Sequence, residues 1–169
     1  MLEMKLPEIL RESVWHTTTP ERYKSIIEKG SILPEPDLPE SQRWGTAMGV
    51  THYPYVRYIG GVSLFDFRGF DEEQYSQKYP ISTWRKFVPC SHRSDKAIWI
   101  EINRPLIKEN LISGEKLLAE WKLSGELRRK IMPLIEVAHI GPLSVTAFER
   151  VLIYNKDDDM FSNYDGCAA

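Results

Sequence analysis

Segments typical of strands and of helices are mixed along this chain without regular alternation, and that pattern restricts the fold class most strongly. Residues 62–67, 96–102, 134–140 and 148–154 are rich in apolar and β-branched side chains, as strands are. The last two follow one another closely, joined by GPLSVTA. A doubly wound parallel sheet would place a helix between successive strands. The pattern therefore predicts an α+β fold with two small packed sheets, antiparallel or mixed, and helices around them.

The segment 14–30 predicts a strand, a tight turn and a helix. Val14-Trp15-His16 is a short β-prone run. Thr19 can cap a helix, and Pro20 suits the first helical position. Gly30 can end the helix, because glycine adopts the left-handed conformation common at helix ends. The apolar face of this helix consists of Tyr23, Ile26 and Ile27.

Three further elements are predicted with less distinctive patterns. Residues 71–79 favour a helix, and 43–50, RWGTAMGV, favour a short strand. Residues 115–131 predict one helix or two, with Gly125 as the point of interruption and Leu127 among the inward side chains.

Charge and length indicate an ordinary globular domain. The chain has 169 residues, with 22 basic and 24 acidic side chains and a formal net charge of −2. A protein that binds nucleic acid through overall positive charge would be more basic. We expect a single catalytic domain over residues 1–154. An acidic, frayed tail over 155–169 has four Asp and one Lys.

Cysteine use and hydropathy indicate a cytoplasmic protein that does not enter a membrane. Cys90 and Cys167 are the two cysteines, far apart in sequence, which is unlike a secreted disulfide framework. No apolar run approaches the roughly 20 residues that span a bilayer. Residues 1–12 lack the apolar segment of a signal peptide.

Common catalytic and metal-binding motifs are absent. The sequence contains no GxGxxG, GxxxxGK[ST], HExxH, GxSxG or CxxC. Cys90 and His92, with His52 or His139, lack the usual spacing of zinc ligands. The sequence therefore predicts no metal site.

His16 and Glu136 are the two candidate catalytic residues. His16 ends a short strand and is followed by three threonines and a helix start, where an anion is favoured. Glu136 interrupts the apolar run Leu134-Ile135-Glu136-Val137-Ala138, and buried carboxylates are rare unless paired. The alternatives are a half-buried or capping histidine and a glutamate that faces solvent.

Two motifs resemble the ADP-ribosyltransferase fold. Trp15-His16-Thr17-Thr18-Thr19, a helix, and then Gly30-Ser31-Ile32-Leu33 resemble its opening. Ile135-Glu136-Val137, His139-Ile140-Gly141-Pro142-Leu143 and Phe148-Glu149-Arg150-Val151 resemble its last motif. The likeness is nearest to the small prokaryotic branch of DarT-like DNA ADP-ribosyltransferases and RNA 2′-phosphotransferases.

The resemblance implies a cleft between two sheets that binds NAD as co-substrate. His16 would hold the ribose and the nicotinamide amide. Glu136 would bind the ribose 2′-hydroxyl and orient the nucleophile, while its charge stabilises the sugar cation left when nicotinamide departs. The cofactor-binding set predicted from this resemblance is His16, Thr17, Thr18, Arg43, Trp44 and Thr46.

The resemblance also implies a middle motif, between the opening and the last one. The family places a Tyr, Ser, Thr or His on a second strand, and the candidates here are Thr46 and Ser63, of which Thr46 is favoured. Arg43 would meet the pyrophosphate, and Trp44 would stack on adenine or nicotinamide. The alternatives are a surface arginine and a core tryptophan.

The function implied is an NAD-dependent ADP-ribosyltransferase of toxin or defence type. Its acceptor would be a nucleic acid or a protein, and an antitoxin or immunity protein is a further expected partner. A basic segment over 43–96, including Lys86 and Arg93, would grip a nucleic acid, or would be a solvated loop. The alternatives are an RNA 2′-phosphotransferase-like or NAD-hydrolysing enzyme of the same fold, and a non-catalytic nucleotide- or partner-binding domain.

Overall fold

The fold is α+β, with a large antiparallel sheet and a few helices. The computed structural model describes residues 5–82 and 94–166. The strands are β1 (Val14–Thr18), β2 (Ser31–Ile32), β3 (Gly61–Asp66), β4 (Lys96–Ile102), β5 (Leu111–Ile112), β6 (Glu136–Ile140), β7 (Leu143–Ser144), β8 (Phe148–Asn155) and β9 (Met160–Asn163). The helices are α1 (Pro20–Lys29), α2 (Tyr55–Tyr58), α3 (Glu72–Lys78), α4 (Arg104–Ile107) and α5 (Gly114–Leu123).

Seven strands form the large sheet, in the order β5-β6-β3-β1-β4-β8-β9, and β2 pairs with β7 in a separate ribbon. The prediction of α+β is confirmed, but the prediction of two small sheets is wrong. The closely spaced strands β6 and β8 do not pair with each other. Instead β6 joins β3 and β8 joins β4, on opposite sides of β1, so both belong to one sheet.

The strand-turn-helix unit at the start is confirmed. The Thr19 hydroxyl accepts a hydrogen bond from the backbone N–H of Arg22 at 3.3 Å, and Pro20 opens α1. Gly30 follows the helix with a φ of 74°, a conformation in which a side chain would be strained. Local rules of capping therefore account for the position of α1 directly behind β1.

The centre of the large sheet is buried on both faces. Trp99 of β4 packs on one side with Trp15, at a ring distance of 6.2 Å. Its neighbours Ile98 and Ile100 pack on the other side of the sheet, together with apolar side chains from α1 and from the β2–β7 ribbon. The apolar side chains on the two faces exclude water from β4, which fixes the register of β1 beside it.

Two predicted elements differ from the structure. Residues 43–50 form turns rather than a strand, because Gly45 and Gly49 take φ values of 75° and 88°. The helix predicted over 115–131 is present only as α5, since Gly125 takes a φ of 76° shortly after it. Leu127 is 59% exposed rather than inward.

The acidic tail is also corrected in part. β9 lies within it and pairs with β8 through four residue pairs, from Leu152–Asn163 to Asn155–Met160. Tyr164 is buried against Tyr23 of α1, with the ring centres 5.5 Å apart. Residues 155–164 therefore belong to the edge of the sheet.

Among the helices of the described ranges, none has the length and apolar character needed to cross a bilayer.

Candidate active site

A cleft opens where β1 and β3 separate. The two strands pair at only two positions, Val14–Asp66 and Trp15–Phe65. Beyond these pairs β1 stays with β4 as far as Thr18, and β3 stays with β6 as far as Gly61. The space between the separated halves is a cavity of about 360 Å³, within the range of small-molecule sites.

Glu136 lies in the wall of this cleft with both carboxylate oxygens hydrogen-bonded. It is 2% exposed. One oxygen accepts from the backbone N–H of Met132 at 3.0 Å, and the other accepts a short hydrogen bond from the Ser63 hydroxyl. Glu136 is therefore not the solvent-facing strand residue of the alternative interpretation.

Burial raises the pKa of Glu136 to about 7, although the hydrogen bonds from Ser63 and Met132 oppose that rise. The carboxyl group is therefore close to half ionised at neutral pH. A cation bound beside it would lower this pKa and favour the carboxylate. Buried ionisable groups of this kind are typical of functional sites.

His16 lies on β1, across the cleft from β3, and its ring is held in one tautomer. Its Nδ1 is 3.0 Å from the carbonyl oxygen of Ser63. A carbonyl only accepts hydrogen bonds, so Nδ1 carries the proton and Nε2 of the neutral ring is an acceptor. Burial lowers the pKa of His16, the Ser63 carbonyl opposes this, and the charge of Arg22 lowers the pKa further. The ring is therefore neutral at pH 7.

Ser63 joins the two candidate catalytic residues, since its carbonyl accepts from His16 and its hydroxyl donates to Glu136. Of the two candidates for the middle motif that the resemblance implies, Ser63 is the one on a strand that lines the cleft. Thr46 does not line the cleft, and its hydroxyl donates to the Glu40 carbonyl oxygen at 2.7 Å. The prediction of a strand at Thr46 is wrong, because its segment forms turns, and the structure does not bring Thr46 into the cleft with the other predicted cofactor-binding residues.

The remaining predicted residues, Thr17, Thr18, Arg43 and Trp44, do line the cleft. Arg43 is not a surface arginine, since its side chain is 11% exposed. Its guanidinium lies 2.5 Å from Glu35 and donates to the carbonyl oxygen of Pro34 at 2.9 Å. Trp44 is 45% exposed and so is not a core residue.

Two arginines of the cleft were not among the site residues predicted from the sequence. Arg57 of α2 donates to Glu35 at 2.8 Å and to Glu40 at 2.7 Å, and so fixes the loop that forms the outer wall. Arg22 of α1 lines the cleft near His16. Arg22 is three residues after Thr19, in the first turn of the predicted helix, and this position was a signal for it. No local pattern indicated Arg57.

Several predictions concern residues outside those that the structure describes. The segment 83–93 contains Cys90 and His92, considered for a metal, and Lys86 and Arg93, considered for nucleic acid. Within residues 5–82 and 94–166, no three His, Cys, Asp or Glu side chains are grouped closely enough to hold a metal ion.

Comparison with known proteins gave no match to this chain among protein-family models, curated proteins or solved structures.

Proposed function

We propose that this protein is an NAD-dependent ADP-ribosyltransferase whose reaction takes place in the cleft between β1 and β3. The observation that carries the proposal is the linked set His16–Ser63–Glu136, in which one serine contacts a neutral histidine and a buried carboxyl group. The resemblance of the segments around His16 and Glu136 to the family supports the same function.

Glu136 suits the bond-breaking step of this reaction. The bond between ribose C1′ and the nicotinamide nitrogen breaks, its electron pair leaves with nicotinamide, and positive charge develops on the sugar. A fixed carboxylate beside that sugar stabilises the charge. An acceptor oxygen or nitrogen then bonds to C1′ and loses its proton to water. Because both NAD's nicotinamide ring and the sugar cation are positive, ligand binding itself would ionise Glu136.

His16 suits a binding role rather than proton transfer to the leaving group. Nicotinamide leaves as a neutral molecule and needs no proton. The unprotonated Nε2 of His16 can accept a hydrogen bond from a ribose hydroxyl or the nicotinamide amide. Since Nδ1 is fixed by Ser63, the ring is oriented before the ligand arrives, which lowers the entropic cost of binding.

The test is nicotinamide release from NAD, followed by chromatography. Wild-type protein should release nicotinamide, and Glu136→Gln should reduce the rate at least roughly a hundredfold, as the loss of a charge-stabilising group does. Glu149→Gln is the matched control, since Glu149 is exposed on β8 and bonds to Asn103. Equal rates for the two variants, or full turnover by Glu136→Gln, would refute the proposal.

The same assay separates the proposed transferase from its alternatives within the fold. Free ADP-ribose in proportion to nicotinamide, with any acceptor present, would identify an NAD-hydrolysing enzyme. ADP-ribose attached to a nucleic acid or a protein would identify the transferase and its acceptor. Binding of NAD without nicotinamide release would favour the non-catalytic nucleotide-binding domain.

A further inference from the structure

Helix α1 presents two basic side chains and a hydroxyl to the cleft. Arg22, Ser25 and Lys29 all line it. Their spacing of three and four residues places them on one helix face. Two turns of helix separate Arg22 from Lys29, which is about 10 Å along the axis. The long side chains can converge on a group between them or contact two neighbouring groups.

The cleft is more basic than the chain as a whole. Four of its lining residues are basic (Arg22, Lys29, Arg43 and Arg57) and three are acidic (Glu21, Asp37 and Glu136), although the protein has a net charge of −2. Burial also keeps Glu136 from full ionisation at neutral pH. The charges of Arg43 and Arg57 are balanced by two carboxylates, Glu35, which contacts both at 2.5 and 2.8 Å, and Glu40, which contacts Arg57 at 2.7 Å.

Arg22 and Glu136 line the cleft from different elements, α1 and β6. The charge of Arg22 acts on His16, where it lowers the pKa. The cleft is therefore lined by a carboxyl group on β6, by a neutral histidine on β1 and by two basic side chains on α1, from which Glu21 also lines it. A ligand that fits this lining has an anionic part for the basic side chains of α1 and a cationic or neutral part for Glu136.

We propose that Arg22 and Lys29 form a subsite for the phosphate groups of the ligand. Arg22 would contact a phosphate through two parallel N–H groups, and Lys29 would act as a point charge. For the identity of the ligand this inference rests on the proposed function. It then fixes the direction of NAD, with the diphosphate along α1 and the nicotinamide ribose at Glu136.

The test measures binding of ADP by calorimetry at low salt, with adenosine as the probe that lacks phosphate. Wild-type protein should bind ADP at least about tenfold more tightly than adenosine. Arg22→Gln should weaken ADP binding roughly ten- to hundredfold, the usual effect of one charge-assisted hydrogen-bonded pair. Lys29→Gln should weaken it about three- to tenfold, since a single flexible charge contributes less.

Lys24→Gln is the matched control. Lys24 is exposed on the same helix and does not line the cleft, so this variant makes the same change in net charge without touching the subsite. Its affinity for ADP should equal that of wild type. Circular dichroism of each variant checks the fold, and Arg22→Lys, which keeps the charge, should retain affinity between those of wild type and Arg22→Gln.

The outcomes separate this inference from the proposed function. If NAD is turned over but Arg22→Gln and Lys29→Gln bind ADP like wild type, the phosphate subsite is refuted and the transferase remains. If ADP binding depends on Arg22 but NAD is not turned over, the subsite holds and the transferase is refuted. If wild-type protein does not bind ADP, or Lys24→Gln weakens binding as much as Lys29→Gln, the subsite is refuted.

Discussion

The Ser63 hydroxyl donates a hydrogen bond to the buried carboxylate of Glu136 across the pair of strands β3 and β6. Glu136 pairs with Phe65, which is two residues from Ser63 on β3. The side chains of Ser63 and Glu136 therefore lie on one face of the sheet. A hydrogen bond to the ionised form of a carboxyl group favours that form. Ser63 thus favours the ionised form of Glu136 and opposes the larger effect of burial, which raises its pKa.

We predict that Ser63→Ala moves the pH dependence of nicotinamide release toward higher pH. In wild type the rate should rise as pH passes through about 7, because Glu136 acts as the carboxylate and its pKa lies there. Without the Ser63 hydroxyl the pKa of Glu136 rises further, and the rising part of the profile should move by about one pH unit. The measurement is kcat/KM for NAD between about pH 5.5 and 9, a range that brackets this pKa.

Thr46→Ala is the control for this prediction. It removes a hydroxyl that bonds to the backbone outside the cleft, and its pH profile should match wild type. A shift produced by Thr46→Ala but not by Ser63→Ala would restore the sequence-based choice of Thr46 as the middle motif.

We predict that Glu136→Gln makes the protein more stable above pH 7. The pKa of Glu136 rises from 4.5, its ordinary value, to about 7 on folding. Between those two values the folded protein holds a proton that the unfolded chain releases. The free energy of unfolding therefore falls as pH rises through this interval, by about 3 kcal/mol in total. A glutamine can accept from Met132 and donate to Ser63 without this cost.

The measurement is urea denaturation of both proteins from about pH 4.5 to 8, which covers the interval between the two pKa values. Their stabilities should be similar at the low end and diverge toward the high end, with the variant higher. His16 has the opposite effect, because a lowered pKa makes stability rise as pH approaches 6.5, but it is present in both proteins and cancels in the difference. If the difference in unfolding free energy between the two proteins did not change with pH, the pKa of Glu136 in the folded protein would equal that in the unfolded chain.

Local chemistry was enough to predict the elements that bear His16 and Glu136, but not the cleft between them. Capping by Thr19 and the end at Gly30 are properties of neighbouring residues, so α1 could be predicted with its bounds. The separation of β1 from β3 depends on strands far apart in sequence and on their other partners, β4 and β6. No local pattern contains that information.

The choice of Thr46 over Ser63 shows a second limit of the sequence. Thr46 was favoured because it follows Arg43 and Trp44 on a segment with glycines that predicted a short strand, but Gly45 and Gly49 take positive φ values and the segment forms turns. Ser63 was already visible as a polar position in the predicted strand 62–67, between the apolar residues Val62 and Leu64. A polar residue on a strand that is otherwise buried was the more informative signal.

We predict that NAD raises the melting temperature of the protein and that His16→Ala reduces this rise. A ligand that binds only the folded state stabilises it in proportion to the logarithm of its concentration over Kd. His52→Ala is the matched control, because His52 is outside the cleft and its Nδ1 lies 3.0 Å from the Thr51 hydroxyl. Thermal denaturation with and without millimolar NAD gives the comparison. An unchanged melting temperature in folded wild-type protein would contradict NAD binding.

We predict finally that Gly114→Ala destabilises the protein and impairs the site at a distance. Gly114 begins α5, and a Cβ there would lie 1.9 Å from the carbonyl oxygen of Leu134. That approach is far inside van der Waals contact, so the backbone at Leu134 would have to move. Leu134 has a φ of 64° and is two residues before Glu136, so it sets the point at which β6 enters the sheet.

Gly30→Ala separates this close approach from the strain of a glycine conformation. Gly30 has a φ of 74° with no atom within 4 Å of the place that a Cβ would take, so alanine there should cost only about 1–2 kcal/mol of unfolding free energy. Gly114→Ala should cost about 3 kcal/mol or more by urea denaturation. At a temperature where both variants remain folded, nicotinamide release should fall markedly only in Gly114→Ala, since only there does the shift reach Glu136. Equal loss of activity in the two variants would show that general destabilisation, and not displacement of β6, is responsible.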